Sequence, residues 1–189
     1  MQVILAAVAD EPDFIAGREL PARAYEFALR AHHGPARRGD TDIDHPVSVA
    51  RLLDGAGFGD EVVAAALLHD VVEDTARGLS ELEDEFGPEV RGLVEAMTED
   101  AEIGDYEERK AEHRKRVLSS GAGPASIYAA DKLARVRAYS ESGDPVPAHR
   151  LDHYWDTLEL FASRRPELPF LSELAAELPD LECEEEDGA

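Results

Sequence analysis

Apolar residues recur with helical spacing along most of the chain, while the alternation of apolar and polar residues that is typical of strands is not found. The first periodic segment begins at Pro21, because proline suits the first turn of a helix. It places Ala24, Phe27, Ala28 and Ala31 on one face. A loop with the sequence HHGPARRGDTDID follows this segment. The pattern predicts an all-α protein with a single domain.

Glycine, proline and capping residues divide the remaining chain into further predicted helices. The second helix begins at His45-Pro46 and stops near Gly55, and the third has Asp60 as its N-cap and the sequence EVVAAALLHDVVED. A capping-box pattern that begins at Ser80 predicts a short fourth helix. Later helices are predicted from Pro88 onward and over 105–119, 126–139, 147–164 and 170–178.

The third predicted helix changes character along its length. Its stretch VVAAALL is apolar on nearly all sides, which places it in the core, but the helix continues into His69, Asp70, Glu73 and Asp74. Ionisable groups at the end of a buried helix are costly unless they are paired or bound to a metal. His69 and Glu73 are four residues apart, as are Asp70 and Asp74, so both pairs project from neighbouring stripes of one surface.

Two further polar residues are candidates for the other ligands of a metal. His45 lies at the opening turn of the second helix, and Asp131 interrupts an otherwise apolar helix. Together with His69 and Asp70 they form a mixed nitrogen and oxygen set, which suits manganese or iron better than zinc or magnesium. The metal would lower the pKa of a bound water and polarise a phosphoryl group. Alternatively, His45 is a helix-entry residue and Asp131 pairs with Arg135 one turn on.

Composition narrows the possible functions. The chain has 189 residues, and 19 Lys and Arg against 42 Asp and Glu give a formal net charge of −23, which argues against nucleic-acid binding. The excess of acidic residues is consistent with a high-salt cytoplasm, and alternatively it reflects only an acidic composition in which arginine outnumbers lysine.

The single cysteine, Cys183, excludes an intramolecular disulfide and a cysteine-based zinc site. The acidic end predicts a disordered tail over 179–189, after a domain over 1–178.

Targeting signals are not expected. No apolar run approaches the length that spans a membrane, and the apolar start of the chain lacks a basic region. We therefore expect a cytoplasmic protein without a signal peptide, and the sequence leaves its oligomeric state open.

The order and spacing of the four candidate ligands resemble the HD superfamily of metal-dependent phosphohydrolases. The strings DHPVSVARLL, AAALLHDVVEDT, FGPEVRGLVEAMTED and AADKLARVR are similar to the hydrolase domain of the RelA/SpoT family, especially to its stand-alone small alarmone hydrolases. The HDxxED form at 69–74 is specific to that branch, and the resemblance covers about residues 22–160. It implies an HD-type helical bundle.

The resemblance also implies an activity, namely removal of the 3′-pyrophosphate from guanosine tetra- or pentaphosphate. The implied cofactor is a divalent metal, with manganese expected and iron, zinc or magnesium left open. By position, His45, His69 and Asp70, with Asp131, would hold the ion. Glu73 and Asp74 would orient or deprotonate the attacking water, a role that suits a carboxylate beside a metal-bound water.

The resemblance further nominates residues that contact the substrate: Arg37, Arg38, Arg109, Lys110, Lys132 and Tyr154. The adjacent pair Arg37 and Arg38 favours an anion or a base face, since the chain is otherwise so acidic. The stretch around Arg109 and Lys110 also fits a solvent-facing amphipathic helix, and Tyr154 also suits a packing role. The other histidines of interest, expected at the surface or behind the site, are His32, His113, His149 and His153.

Some positions depart from the family pattern. Arg135 stands where the family usually has Asn, Ala138 stands where it often has Thr, and Thr41-Asp42-Ile43 replaces Pro-Tyr-Ile. The resemblance implies that these positions lie around the nucleotide rather than the metal. The sequence thus predicts an intact hydrolytic centre with altered contacts to the base and ribose.

Three functions follow from these observations. The leading one is a metal-dependent pyrophosphohydrolase of the guanosine alarmone. The second is the same chemistry on another nucleotide or a small phosphoester, as the altered pocket positions suggest. The third is a non-catalytic module that binds a metal or nucleotide, which the retention of Glu73 and Asp74 disfavours.

Overall fold

The computed structural model describes residues 11–33 and 43–184, and within these residues the chain is helical. The α-helices are α1 (Glu19–His32), α2 (Asp44–Gly55), α3 (Asp60–Leu68), α4 (Val71–Asp74), α5 (Leu79–Met97), α6 (Tyr106–Ser119), α7 (Ala122–Ser142), α8 (Ala148–Arg164) and α9 (Leu171–Glu177). Short 3-10 turns lie at Asp13–Ile15 and Leu178–Asp180. The predicted all-α class is confirmed, and none of the described helices is long and apolar enough to cross a membrane.

Two buried helices form the centre of the bundle. In α3, every residue from Val63 to Leu68 is fully buried, and the helix packs against α1, α2 and α5. In α7, the stretch from Pro124 to Ala134 is buried, and this helix packs against α2, α5, α6 and α9. An apolar surface on nearly all sides requires neighbours all round, as the sequence of α3 predicts. Candidate ligands follow directly after α3 and lie within α7.

The third predicted helix is interrupted at His69 and Asp70. The structure has α3 end at Leu68 and α4 begin at Val71. The imidazole Nδ1 of His69 lies 2.7 Å from the carbonyl oxygen of Ala66. In a continuous helix, that oxygen would accept from the N–H of Asp70. The side chain therefore competes with the helix ladder at this point, which the periodicity of the sequence does not show.

Two predicted N-caps differ from the structure. The N-cap of α3 is Gly59, and Asp60 is the first helical residue, whose carboxylate accepts hydrogen bonds from Arg18 at 2.6 and 3.0 Å. The N-cap of α5 is Gly78, without a side-chain cap, so the capping box predicted at Ser80 is wrong. In both cases a glycine supplies the extended entry to the helix, and the polar side chain is not used as a cap.

α5 joins the fourth and fifth predicted helices across a kink. Gly87 has a φ of 84°, in the left-handed region that favours glycine, and Pro88 follows it. Beyond the kink, Val90, Val94 and Met97 are buried, as their spacing predicts.

The described end of the chain pairs with the loop before α8. The N–H of Val146 donates to Glu182 at 2.7 Å, and the N–H of Glu184 donates to the carbonyl of Val146 at 2.9 Å. These bonds pair the segment with the loop before α8. The disordered tail over 179–189 stays a prediction. Acidic composition does not reveal such backbone pairing. Residues 185–189 lie outside the described part of the chain.

Candidate metal centre and adjoining cavity

Three parts of the bundle bring the four candidate ligands together. His45 lies in the first turn of α2, His69 and Asp70 lie between α3 and α4, and Asp131 lies midway along α7. Ligand atoms of His45, His69 and Asp131 all lie within 4.8 Å of one another. Nε2 of His45 is 2.8 Å from Oδ1 of Asp131, and Nε2 of His69 is 3.0 Å from Oδ1 of Asp70.

The donor set fits a divalent cation. Nδ1 of His69 donates to the carbonyl of Ala66, which directs Nε2 towards the cluster. This Nε2 is buried and has no hydrogen bond of good geometry with any described group, although Oδ1 of Asp70 is 3.0 Å away and Oδ1 of Asp131 is 4.0 Å away. A metal ion would satisfy such a nitrogen, and two imidazoles with two carboxylates suit manganese or iron.

The protonation of the cluster reflects burial among opposite charges. Burial lowers the pKa of His69, but the carboxylates of Asp70 and Asp131 outweigh it and raise the pKa to about 9. Burial raises the pKa of Asp70, yet His69 and His45 bring it well below its usual range. Without a metal, His69 therefore carries a proton between ionised carboxylates.

Lys132 orients the ligand Asp131. Its Nζ lies 2.5 Å from Oδ2 of Asp131 and 4.4 Å from the centre of the Tyr128 ring. Burial opposes the charge on Lys132, but Asp131 and Tyr128 more than compensate and raise its pKa above the usual range. This predicted substrate contact lines the cavity and remains charged there.

A cavity of about 410 Å³ adjoins the cluster. Both predicted water-activating carboxylates, Glu73 and Asp74, line it together with His69, Asp70 and Asp131. Five cationic side chains also line it, namely Arg109, Lys110, Lys132, Arg135 and Arg150. A His–Asp cluster that could hold a metal, carboxylates and cations in one cavity are the groups that hydrolysis of a phosphate ester requires.

Glu99 connects the carboxylates with the cations, and sequence analysis missed it. Its N–H donates to Oε1 of Glu73 at 2.6 Å, and its own carboxylate accepts from Nε of Arg109 at 2.8 Å and from Nζ of Lys110. Burial raises the pKa of Glu99, but Lys110 and Arg109 lower it to about 2. Arg109 and Lys110 thus face the cavity, as the resemblance implied, instead of forming a solvent-facing stripe.

Two histidines lie buried at the back of the cavity. Nε2 of His113 donates to the carbonyl of Ala96 at 3.2 Å, and burial lowers the pKa of His113 to about 4. Nδ1 of His153 accepts from Arg114 at 2.6 Å, so Arg114 supports this ring from behind. His149 is exposed, whereas His32 is buried in the core around α1.

The remaining predicted substrate contacts have different outcomes. Tyr154 lines the cavity, and burial raises its pKa to about 12. Arg135 also lines the cavity, but its partner is Oδ2 of Asp70 at 3.8 Å instead of the Asp131 that its spacing indicated. Arg37 and Arg38 lie outside the described residues, as do Thr41 and Asp42.

Comparisons with known proteins agree with this geometry. The profile of the HD-domain family matches residues 24–165. The human guanosine-3′,5′-bis(diphosphate) 3′-pyrophosphohydrolase MESH1 is 39% identical over 139 residues, which cover 70% of this chain and 77% of MESH1. The Aquifex aeolicus guanosine-3′,5′-bis(diphosphate) 3′-pyrophosphohydrolase is 37% identical over 118 residues, covering 61% of this chain and 17% of that protein.

A solved structure resembles the whole bundle. A metazoan ortholog of SpoT, described as hydrolysing ppGpp, superposes with a TM-score of 0.69 at 25% identity. The superposition covers 90% of this chain and 96% of the other.

Proposed function

This chain belongs to the HD-domain family, and we propose that it is a metal-dependent phosphohydrolase that removes the 3′-pyrophosphate of guanosine-3′,5′-bis(diphosphate). Membership confirms the resemblance drawn from the order of the ligands. The observation that carries the proposal is the cavity in which the buried His–Asp cluster meets Glu73, Asp74 and the cations. The similarity to MESH1 supports the choice of substrate.

The metal is proposed to be manganese, held by His45, His69, Asp70 and Asp131. When bound, it would lower the pKa of a water and polarise the phosphoryl group. Asp131 keeps its orientation through Lys132, and His69 keeps its orientation through the carbonyl of Ala66.

Glu73 is assigned as the residue that takes the proton of the attacking water. Its Oε1 already accepts from the N–H of Glu99, which fixes the carboxylate at the cavity wall. The oxygen of the water attacks the phosphorus next to the 3′-oxygen, and the bond between that phosphorus and the 3′-oxygen breaks. The products are inorganic pyrophosphate and guanosine 5′-diphosphate, whose 3′-oxygen takes up a proton. Asp74, on the same wall, is assigned to orient the water.

The cations bind the charge of the departing pyrophosphate. Arg109 and Lys110 are held at one side of the cavity by Glu99, and Lys132 lies beside Asp131. Preorganised cations in a site that excludes water stabilise the charge that develops in the transition state. Tyr154 is assigned to the nucleoside side of the cavity.

The proposal is tested by release of pyrophosphate from the guanosine alarmone by the manganese-loaded protein, beside a panel of ordinary nucleotides. Release from the alarmone is expected, with loss in Asp70→Ala and in Glu73→Gln. Glu159→Gln, on the exposed face of α8, is the matched control and is expected to retain activity. If the metal-bound protein released no phosphate or pyrophosphate from any substrate, the result would contradict hydrolysis and favour a non-catalytic binding module.

A second candidate is hydrolysis of another phosphorylated nucleotide or a small phosphoester. The observation that favours it is Arg135, which lines the cavity at a position where the related hydrolases usually carry Asn. Release of phosphate or pyrophosphate from members of the panel, but not from the alarmone, would establish this alternative.

A further inference from the structure

The five cationic side chains of the cavity differ in whether their N–H groups donate hydrogen bonds to the protein. Four of the five donate hydrogen bonds to groups of the protein: Arg109 to Glu99 and Ile103, Lys110 to Glu99, Lys132 to Asp131, and Arg150 to Tyr139. The guanidinium of Arg135 makes no hydrogen bond with any residue that the structure describes. Its guanidinium approaches only Oδ2 of Asp70, at 3.8 Å, which is beyond hydrogen-bond distance.

The surroundings of Arg135 leave its guanidinium available to a ligand. Its side chain is 36% exposed and lines the cavity. Asp70 is already close to His69, at 3.0 Å, and its charge would be shared with a bound cation. A long, partly exposed ion pair of this kind holds a side chain only weakly.

The position of Arg135 in the cavity indicates which chemical group it would bind. Arg135 follows Asp131 by one turn of α7 and is close to Asp70, so it lies beside the metal cluster and not at the far end of the cavity. A phosphoryl group at the cluster would have its neighbour in a diphosphate, joined through one bridging oxygen, within reach of the guanidinium. The planar fork of arginine matches two oxygens of one phosphoryl group.

We propose that Arg135 binds the second phosphoryl group of a diphosphate and thereby makes the site selective for diphosphates over monophosphates. This inference rests on the proposed function, since it takes the phosphoryl group next to the 3′-oxygen as the one at the cluster. A monophosphate places its only phosphoryl group at the cluster and gains little from Arg135. Arg135 is thus a specificity-determining residue for the length of the phosphate chain.

The test uses inorganic pyrophosphate and orthophosphate as probes, and calorimetric binding to the manganese-loaded full chain as the readout. Arg135→Gln is expected to weaken pyrophosphate binding about tenfold or more, but orthophosphate binding less than about threefold. Arg135→Lys keeps the positive charge but lacks the planar guanidinium, so its affinity for pyrophosphate is expected to lie between those of the unchanged protein and Arg135→Gln. The control is Arg164→Gln, because it makes the same change of net charge at an exposed position of α8 outside the cavity.

Several results would overturn the inference. Equal weakening of both probes would show that Arg135 acts through its charge alone, and unchanged binding would show that it does not contact the anion. Manganese affinity is measured for each variant, and a loss of it in Arg135→Gln would show that Arg135 supports Asp70 instead.

The inference and the proposed function can fail separately. Pyrophosphate binding that depends on Arg135, in a protein that does not hydrolyse the alarmone, would refute the proposed substrate and leave the diphosphate preference standing. Hydrolysis of the alarmone with pyrophosphate binding that is unaffected by Arg135→Gln would refute only the role of Arg135.

Discussion

Binding of a divalent metal at the His–Asp cluster is expected to release about one proton near neutral pH. In the metal-free protein, burial lowers the pKa of His69, but Asp70 and Asp131 outweigh it and raise the pKa to about 9. An imidazole nitrogen must lose its proton before it can ligate a metal. A cation that enters the cluster therefore displaces the proton of His69. The carboxylates contribute no further protons, because the pKa values of Asp70 and Asp131 lie below their usual range.

The raised pKa of His69 determines how many protons are released and how strongly metal affinity depends on pH. At about pH 7, nearly every metal-free molecule carries this proton, so each bound ion displaces about one. Since low pH favours the competing proton, apparent metal affinity falls with acid. The fall is about tenfold for each pH unit below the pKa, or about 1.4 kcal/mol per unit. Between about pH 8 and about pH 6 we expect a roughly hundredfold loss of affinity.

Titration calorimetry with manganese, in buffers of different protonation enthalpy, counts the released protons. The matched control is His149→Gln, which removes an exposed histidine and is expected to leave the count unchanged. A binding heat that does not depend on the buffer would refute this reasoning. So would an affinity that stays constant between about pH 6 and about pH 8.

Three further substitutions test other parts of the molecule. Glu73→Gln is expected to lower kcat by about 10²–10⁴-fold while manganese binding in calorimetry is retained, and a full turnover rate would contradict its role as the base. Glu99→Gln is expected to lower kcat/KM for the alarmone about tenfold, because Arg109 and Lys110 lose the carboxylate that orients them; unchanged kinetics would contradict this. Leu67→Ala, in the fully buried face of α3, is expected to lower the free energy of unfolding by about 2–5 kcal/mol in urea, and a loss below about 1 kcal/mol would contradict the packing of that helix.

The helices and the cluster were predictable from the sequence because their signals are local and distinctive. Periodicity identified the buried helices, and an Asp inside an apolar helix marked Asp131. Four ionisable residues at the end of an apolar stretch, His69, Asp70, Glu73 and Asp74, marked the candidate site. The resemblance to a known family then grouped these positions, and the structure places ligand atoms of His45, His69 and Asp131 within 4.8 Å of one another.

Other features depend on contacts that local patterns do not encode. The break between α3 and α4 follows from a side-chain bond of His69 to Ala66. Glu99 looks like any other acid in an acidic chain, and its importance arises from residues ten and eleven positions further on. The pairing of the final described segment with Val146 is made by the backbone, which acidic composition conceals.

The hydrogen bond from the N–H of Glu99 to Glu73 has a geometric consequence. It ties the cavity wall that carries Glu73 to the loop between α5 and α6, and the side chain of Glu99 holds Arg109 and Lys110. The proposed base and the proposed phosphate-binding cations are therefore held at a fixed separation by one residue. A substrate whose scissile phosphorus and outer phosphoryl oxygens match the distance between Glu73 and these cations binds without rearrangement of the site. A shorter or longer anion reaches only one of the two groups.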